Sequence, residues 1–561
     1  MNRQIVRVVM SVAPAGVRMM CLIAIAALAA GYTAFDRVSA ADSRYEDLVS
    51  LFHEWREFQK PRLNEGVPDY TAGAMVAQYR ELATYRKRLD AIDTSAWPVG
   101  QRVDWYIVRA EMDGLDFDHR VLRPWANNPA FYVTVFSSQS DQPAREGPQA
   151  DGSVQLWTYT FPLGAARAQQ LDAGIRVIPK LLEQARTNLV GNGRDLWIYG
   201  AESIRQQSTE LERLASRLGE TGGALKADVQ RAKEATDAFA AWLDSRAASK
   251  NAPSGVGVEN YDWYLKHVQL VPYTWRDEVL LMERELARAR TFLALEEERN
   301  SALPPQVPIA SQEEHTRRFN EAVSEYMAFL KDHDILTVRD YMDPALRARI
   351  GRFRPGPREF FSEVDYRDPE VMRTHGYHWF DLARMASEPH PSPIRRVPLL
   401  YNIFDSRTEG LATGWEEMML QAGMFDARPR SRELVYVLLA ERAARALGDL
   451  GMHANQATLE QAAEFAAANT PRGWLRLDGQ LVRDEQHLYL QQPAYGTSYL
   501  IGKMQIEILM AQRRRQLGDA FTLKRFMDEL DAAGLIPVSL IAWELTGQPP
   551  DGISRAAAAA Q

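Results

Sequence analysis

A chain of 561 residues, 46% of them apolar, can bury a large core. Its formal charge of −8 falls to about −11 once residues 1–40, with four Arg and one Asp, are set aside, and so acidic a body argues against a nucleic-acid partner. Cys21 is the only cysteine, which excludes disulfides and thiolate metal sites from everything after it.

Ala, Leu, Glu, Arg and Gln dominate long segments and strand-type alternation is rare, so the expected fold class is all-α. We expect a large body of long helices packed around a central cleft, with at most a few short strands. Arg3, Arg7 and Arg18 precede an apolar run from Met19 to Phe35 and small residues at Val38–Ala40, which reads as an export signal over 1–40. An uncleaved anchor is the alternative, since 17 apolar residues sit at the short limit of a bilayer span. No second membrane-length run follows, and the expected location is periplasmic or secreted.

Helical spacing is read at 43–60, at 69–92 and near 103–123. The third of these carries Asp113, Asp116, Asp118 and His119, which lack the calcium-loop pattern and read as a solvated acidic face. The irregular stretch from Trp125 to Val154, with one short strand at 130–136, is the longest expected loop, of the kind that rims sites. Residues 163–249 read as helical with a break at Gly222–Gly223, and residues 251–257 as a linker. This divides the chain into an N-terminal helical region, 43–250, a C-terminal helical region, 258–548, and a frayed tail, 549–561. Helices are expected near 259–266, 272–299 and 311–332. Thr458 with Gln461 forms a capping box, and Thr522 opens a helix that ends near Gly534.

The stretch from Arg373 to Met419 concentrates candidate ligands: His375, His378, His390, Asp381, Glu409, Glu416 and Glu417. If His375 and His378 share a helix, their three-residue spacing puts both imidazoles on one face. Further on, Glu409-Gly410-Leu411-Ala412, Gly451-Met452-His453, the run from Pro493 to Gly502 and the run from Phe526 to Pro537 follow in order.

These motifs resemble those of the bacterial family catalogued as domain of unknown function 885, whose members are helical, exported and zinc-peptidase-like. The family's His-Glu-x-x-Pro-Gly-His motif is degenerate here. With His378 as its second histidine, Met372 stands at the first and Arg373 at the catalytic glutamate. The usual proton acceptor beside the metal is therefore missing.

Three readings stay open. In the first, Zn²⁺ is held by His375, His378 and Glu409 in a peptide hydrolase, with Glu416 or Glu417 as base or substrate anchor. Asp381 would be a further ligand, an orienting group or a substrate contact. By resemblance, His453 and Tyr499 would stabilise the oxyanion. In the second, an inactive relative keeps the cleft and binds peptides or small anions, with Arg373, Arg395 and Arg396 recognising carboxylates. In the third, the histidines only hydrogen-bond inside a core. Gly410 and Gly414 each cost about 1 kcal/mol in a helix, which points to a close approach by another helix or a substrate.

Overall fold

Leu48, Leu51, Phe52 and Trp55 recur at helical spacing and line the buried face of α1 (Tyr45–Phe58). The structure, a computed structural model, describes residues 44–144, 146–219 and 223–550. The export signal expected at 1–40, Cys21, Gly222 of the expected break, and the tail from 551 lie outside the described residues.

Helices α2 (Ala72–Asp90) and α3 (Val99–Phe117) follow, and α3 runs into a π-turn at Asp118–Leu122. The expected solvated face is not one. Asp113 and Asp116 are buried and pair with Arg86, while Arg109 and Arg120 take their remaining oxygens. The long loop then crosses the molecule; of the strand expected at 130–136, the first part is a 3-10 turn, Pro129–Tyr132, and only β3 (Val135–Phe136) pairs, in parallel with β4 (Val154–Gln155). An antiparallel pair of the same size, β1 (Leu63–Asn64) and β2 (Val67–Pro68), precedes α2, and the remaining described residues form helices, turns and loops.

Three long helices, α4 (Ala165–Asn188), α5 (Arg194–Leu218) and α6 (Gly223–Ala247), pack together with residues of the loop around a core of their own. The larger core joins α1–α3 to everything after the linker. That part comprises α7 (Val258–His267), α8 (Trp275–Arg299), α9 (Gln312–Asp332), α10 (Pro369–His375), α11 (Tyr377–Ser387), α12 (Asp405–Gln421), α13 (Pro429–His453), α14 (Leu459–Asn469), α15 (Leu481–Gln491), α16 (Tyr495–Leu517), α17 (Leu523–Ala532) and α18 (Val538–Thr546). The linker at 251–257 runs from the core of α4–α6 to the larger one, while α1–α3, which precede it in the chain, bury their apolar faces against the C-terminal helices.

At the centre, α12 lies along α16 at unusually short range. A Cβ on Gly410 would meet the backbone of Gly502 at 2.4 Å, and one on Gly502 would meet the carbonyl oxygen of Ser406 at 1.9 Å. The two glycines let the helices touch backbone to backbone. The approach that Gly410 pointed to is thus by another helix. Nearly all of α12 is buried, including Asp405, Arg407, Glu409 and Glu416, so its charges must be answered from neighbouring elements.

Candidate metal centre

His375 and His378 do not share one helix. His375 closes α10 and His378 lies in the first turn of α11, with Gly376 between them. A Cβ on Gly376 would sit 2.7 Å from Leu346 Cδ2 and 2.9 Å from the Arg373 carbonyl oxygen, so glycine is what lets the chain turn here. The two imidazoles meet edge to face, 5.1 Å apart.

The long loop supplies the rest. One ligand atom each from Asp141, His375 and His378 lie within 4.8 Å of one another, and so do single oxygens from Asp141, Glu146 and Glu409. Asp141 belongs to both groups, whereas His375 and Glu409 fall in different ones. His378 Nε2 is 3.4 Å from Glu409 Oε2, and both atoms are buried without a hydrogen-bond partner. Gln142 Nε2 donates to Glu409 Oε1 at 2.7 Å, and Tyr495 Oη lies 2.5 Å from the same oxygen and 2.6 Å from Glu146 Oε1.

Charge follows from this packing. Burial opposes the imidazolium of His378, but Asp141 and Glu409 outweigh it and hold the group at about 9. Burial raises Glu409 as well, and His378 and Tyr495 bring it below the usual carboxylate range. Glu146 is pushed up to about 7, by burial first and then by Asp141. Two imidazoles and three carboxylates around adjoining points, with two buried atoms among them that no hydrogen bond holds, are a donor set that fits a borderline divalent ion such as Zn²⁺.

Comparison with known families places the C-terminal part of the chain. Residues 376–545 match the family described as "Bacterial protein of unknown function (DUF885)". The resemblance read from the motifs is shown over this segment. Two solved structures share the fold. A "putative lipoprotein of unknown function" from Shewanella oneidensis is 14% identical with a TM-score of 0.66, covering 89% of this chain and 99% of its own. A "putative lipoprotein" from Colwellia psychrerythraea is 13% identical with a TM-score of 0.62, covering 91% and 99%. No curated protein matches by sequence.

Within and beside the DUF885 segment, most other predicted site residues are occupied elsewhere. Glu416, expected as base or anchor, receives two hydrogen bonds from Arg442, at 2.8 and 2.9 Å, and lies 3.0 Å from His375 Nδ1. Arg442 Nη2 also reaches His375 Nδ1, at 3.1 Å, so Glu416 and Arg442 together hold this imidazole by Nδ1 and leave Nε2 as the free nitrogen. Glu417 pairs with Arg288 and Lys503, which outweigh burial and hold it down at about 2. Both nitrogens of His453 are engaged, Nε2 with the Tyr489 carbonyl at 3.0 Å and Nδ1 with the Val256 amide at 3.4 Å. Burial lowers it to about 4, so it is a neutral core histidine with no donor left for an oxyanion. Tyr499 does reach the cluster's edge, its ring against Tyr495 and near the guanidinium groups of Arg442 and Arg445.

The four expected substrate contacts have structural partners. Arg373 donates to Asp365 at 3.0 Å and lies over the Phe319 ring. All five N–H groups of Arg395 are used, on Asp104, Glu544 and the carbonyls of Gly100 and Ala533. Asp381 is buried against Arg384 and Arg407. Arg396 is exposed and donates to the Pro391 carbonyl. Asp381, Arg395 and Arg396 do line one cavity of about 380 Å³, on α11 and α17 and outside the imidazole cluster. Asp141, Gln142, Glu146 and Tyr495 escaped the sequence reading as individuals, although the loop carrying the first three was singled out as the rim of a site.

Proposed function

We propose that this protein is an exported, metal-dependent hydrolase acting on peptides, with a divalent ion, Zn²⁺ by preference, held by His375, His378 and Asp141, and Glu409 beside it. The observation that carries the reading is the Asp141–His375–His378 group, with the buried pair His378 Nε2 and Glu409 Oε2 beside it, 3.4 Å apart and hydrogen-bonded to no third group. When bound, such an ion polarises a carbonyl and acidifies water.

The chain's own residues prepare that site. Glu416 fixes His375, Gln142 and Tyr495 fix Glu409, and Asp141 and Glu146 bring from the loop the carboxylates that the motif lacks where Arg373 stands. Peptide as substrate rests on the family resemblance. Export is supported by the N-terminal pattern and by the printed names of the two solved relatives. Among the described residues, no helix is long and apolar enough to cross a membrane.

A second reading, an inactive relative that binds peptides or small anions, is favoured by one observation: His378 and Glu409 already neutralise each other as they stand. Metal content separates the two. Purified protein is expected to carry close to one divalent ion per chain and to lose it when His375 and His378 are both replaced by Ala. Protein without metal, or metal unchanged by that double replacement, overturns the hydrolase reading.

A further inference from the structure

Behind the loop that carries Asp141 and Glu146 lies a cavity of about 300 Å³, and none of the side chains of the imidazole cluster lines it. Aromatic rings of Tyr70, Trp125, Phe131 and Tyr401 form its walls, and Asp118 and Gln149 contribute polar groups. We propose that this cavity binds an organic cation, an ammonium or guanidinium group carried on a short apolar or aromatic body.

The acceptors come without donors. The Asp118 side chain forms no ion pair and no hydrogen bond among the described residues, while the arginines of α2, α3 and the π-turn that answer the neighbouring acids are spent on them: Arg86 on Asp113 and Asp116, Arg109 on Asp113, Arg120 on Asp116. Gln149 Oε1 is buried with no partner either. Asp151 adds a second carboxylate at the exposed rim, and Lys60, the lysine of the lining, holds Glu57 at 2.7 Å. Two unanswered oxygens inside aromatic walls match a cation that donates hydrogen bonds and lies against ring faces. With nothing to offset burial, the Asp118 carboxyl is pushed up to about 7, and a bound cation would bring it down again.

The pocket is also built at some cost to the backbone. Asp118 opens the π-turn, Arg123 beyond it has φ 42°, and Tyr401 and Asn402 in the opposite wall have φ 56° and 47°. Such turns and left-handed residues collect at functional sites. Gly114 makes room for the Tyr401 ring, since a Cβ there would lie 2.3 Å from its Cγ. The cavity is tied to the imidazole cluster through Gln492, which accepts from the Gly147 amide at 2.8 Å and donates to Asp405 Oδ2 at 2.6 Å, one turn before Glu409.

The test uses benzamidine and its uncharged isostere benzamide, titrated calorimetrically into the EDTA-treated full chain, so that its outcome does not depend on whether a metal binds. Benzamidine is expected to bind at least tenfold more tightly than benzamide. Asp118→Asn should abolish that preference, with benzamide affinity unchanged, and Gln149→Met should weaken benzamidine at least threefold. Equal affinity for the two probes, no binding of either, or a preference that survives Asp118→Asn overturns the proposal. The metal content of the untreated protein would be untouched by such a result, so this failure and that of the hydrolase reading can be told apart.

Discussion

His378 Nε2 and Glu409 Oε2 face each other at 3.4 Å across the contact between α11 and α12, and no other group hydrogen-bonds to either atom. Removing one takes the facing opposite charge from the other, which Asp141 or Tyr495 only partly replaces, at a cost of up to about 3–5 kcal/mol. Removing both leaves no stranded charge. His378→Leu and Glu409→Gln are therefore each expected to be strongly destabilising, and the double variant clearly less so than their sum, in denaturant titrations of metal-free protein. Strict additivity would show that the two groups do not answer each other.

Glu416 provides a test of role. As the group that orients His375, its replacement in Glu416→Gln should weaken metal affinity about 10–100-fold, the usual effect of losing such an outer partner. Competition with a chelator reads this directly. A base would behave otherwise, leaving affinity intact and reducing turnover alone.

The glycine pair makes a sharper structural prediction. Gly502→Ala drives a methyl group into the Ser406 carbonyl, and neither backbone can yield without separating α12 from α16. A loss of about 3 kcal/mol or more is expected, at the upper end for overpacking. Gly414→Ala is the control, because its nearest neighbours are side-chain atoms, Lys503 Cγ at 3.3 Å and the Met418 tip at 3.6 Å, and a shift of a few tenths of an ångström accommodates the methyl group. It should be neutral or stabilising by up to about 1 kcal/mol, the helix-propensity gain. Thermal melts of the two variants, moving in opposite directions, would check the contact.

What the residues revealed and what they hid follow a physical division. Local rules carried far: the capping box at Thr458 and Gln461, the helix opened by Thr522, and the all-α class are all present. The cost of Gly410 in a helix pointed to close packing, and α16 is what approaches. Partners distant in the chain were not legible, since pattern says that a charge is present but not what answers it. Arg442 reaches Glu416, Glu544 reaches Arg395, and the loop brings Asp141 to the histidines. Asp113 and Asp116 illustrate the same limit, because acids spaced along a helix look solvated until Arg86 of a neighbouring helix is placed over them.

Asp381 was expected to be a ligand or substrate contact, and its partners predict something else. Buried between Arg384 and Arg407, it helps neutralise a guanidinium that is fully out of solvent, with Asp531 as the other acid. Asp381→Asn should cost about 3 kcal/mol, as for a broken buried pair. Metal content and peptide turnover, measured below the unfolding transition, should stay at wild-type values. A selective loss of either would return Asp381 to the site.

Glu278, on α8 and out of solvent, ties stability to pH. Burial pushes its carboxyl up to about 8. Since the folded state then holds a proton that the unfolded chain releases above the ordinary glutamate range, stability is fully present at low pH and declines as pH rises from about 4.5 through 8. Glu278→Gln keeps the neutral shape and removes the titration. The difference in urea-unfolding free energy between variant and wild type should therefore be smallest at pH 5 and grow in the variant's favour by a few kcal/mol towards pH 9, at about 1.4 kcal/mol per pH unit between the two values. A difference that stays constant across that range would mean that the carboxyl is already ionised in the fold, with a cation or water beside it.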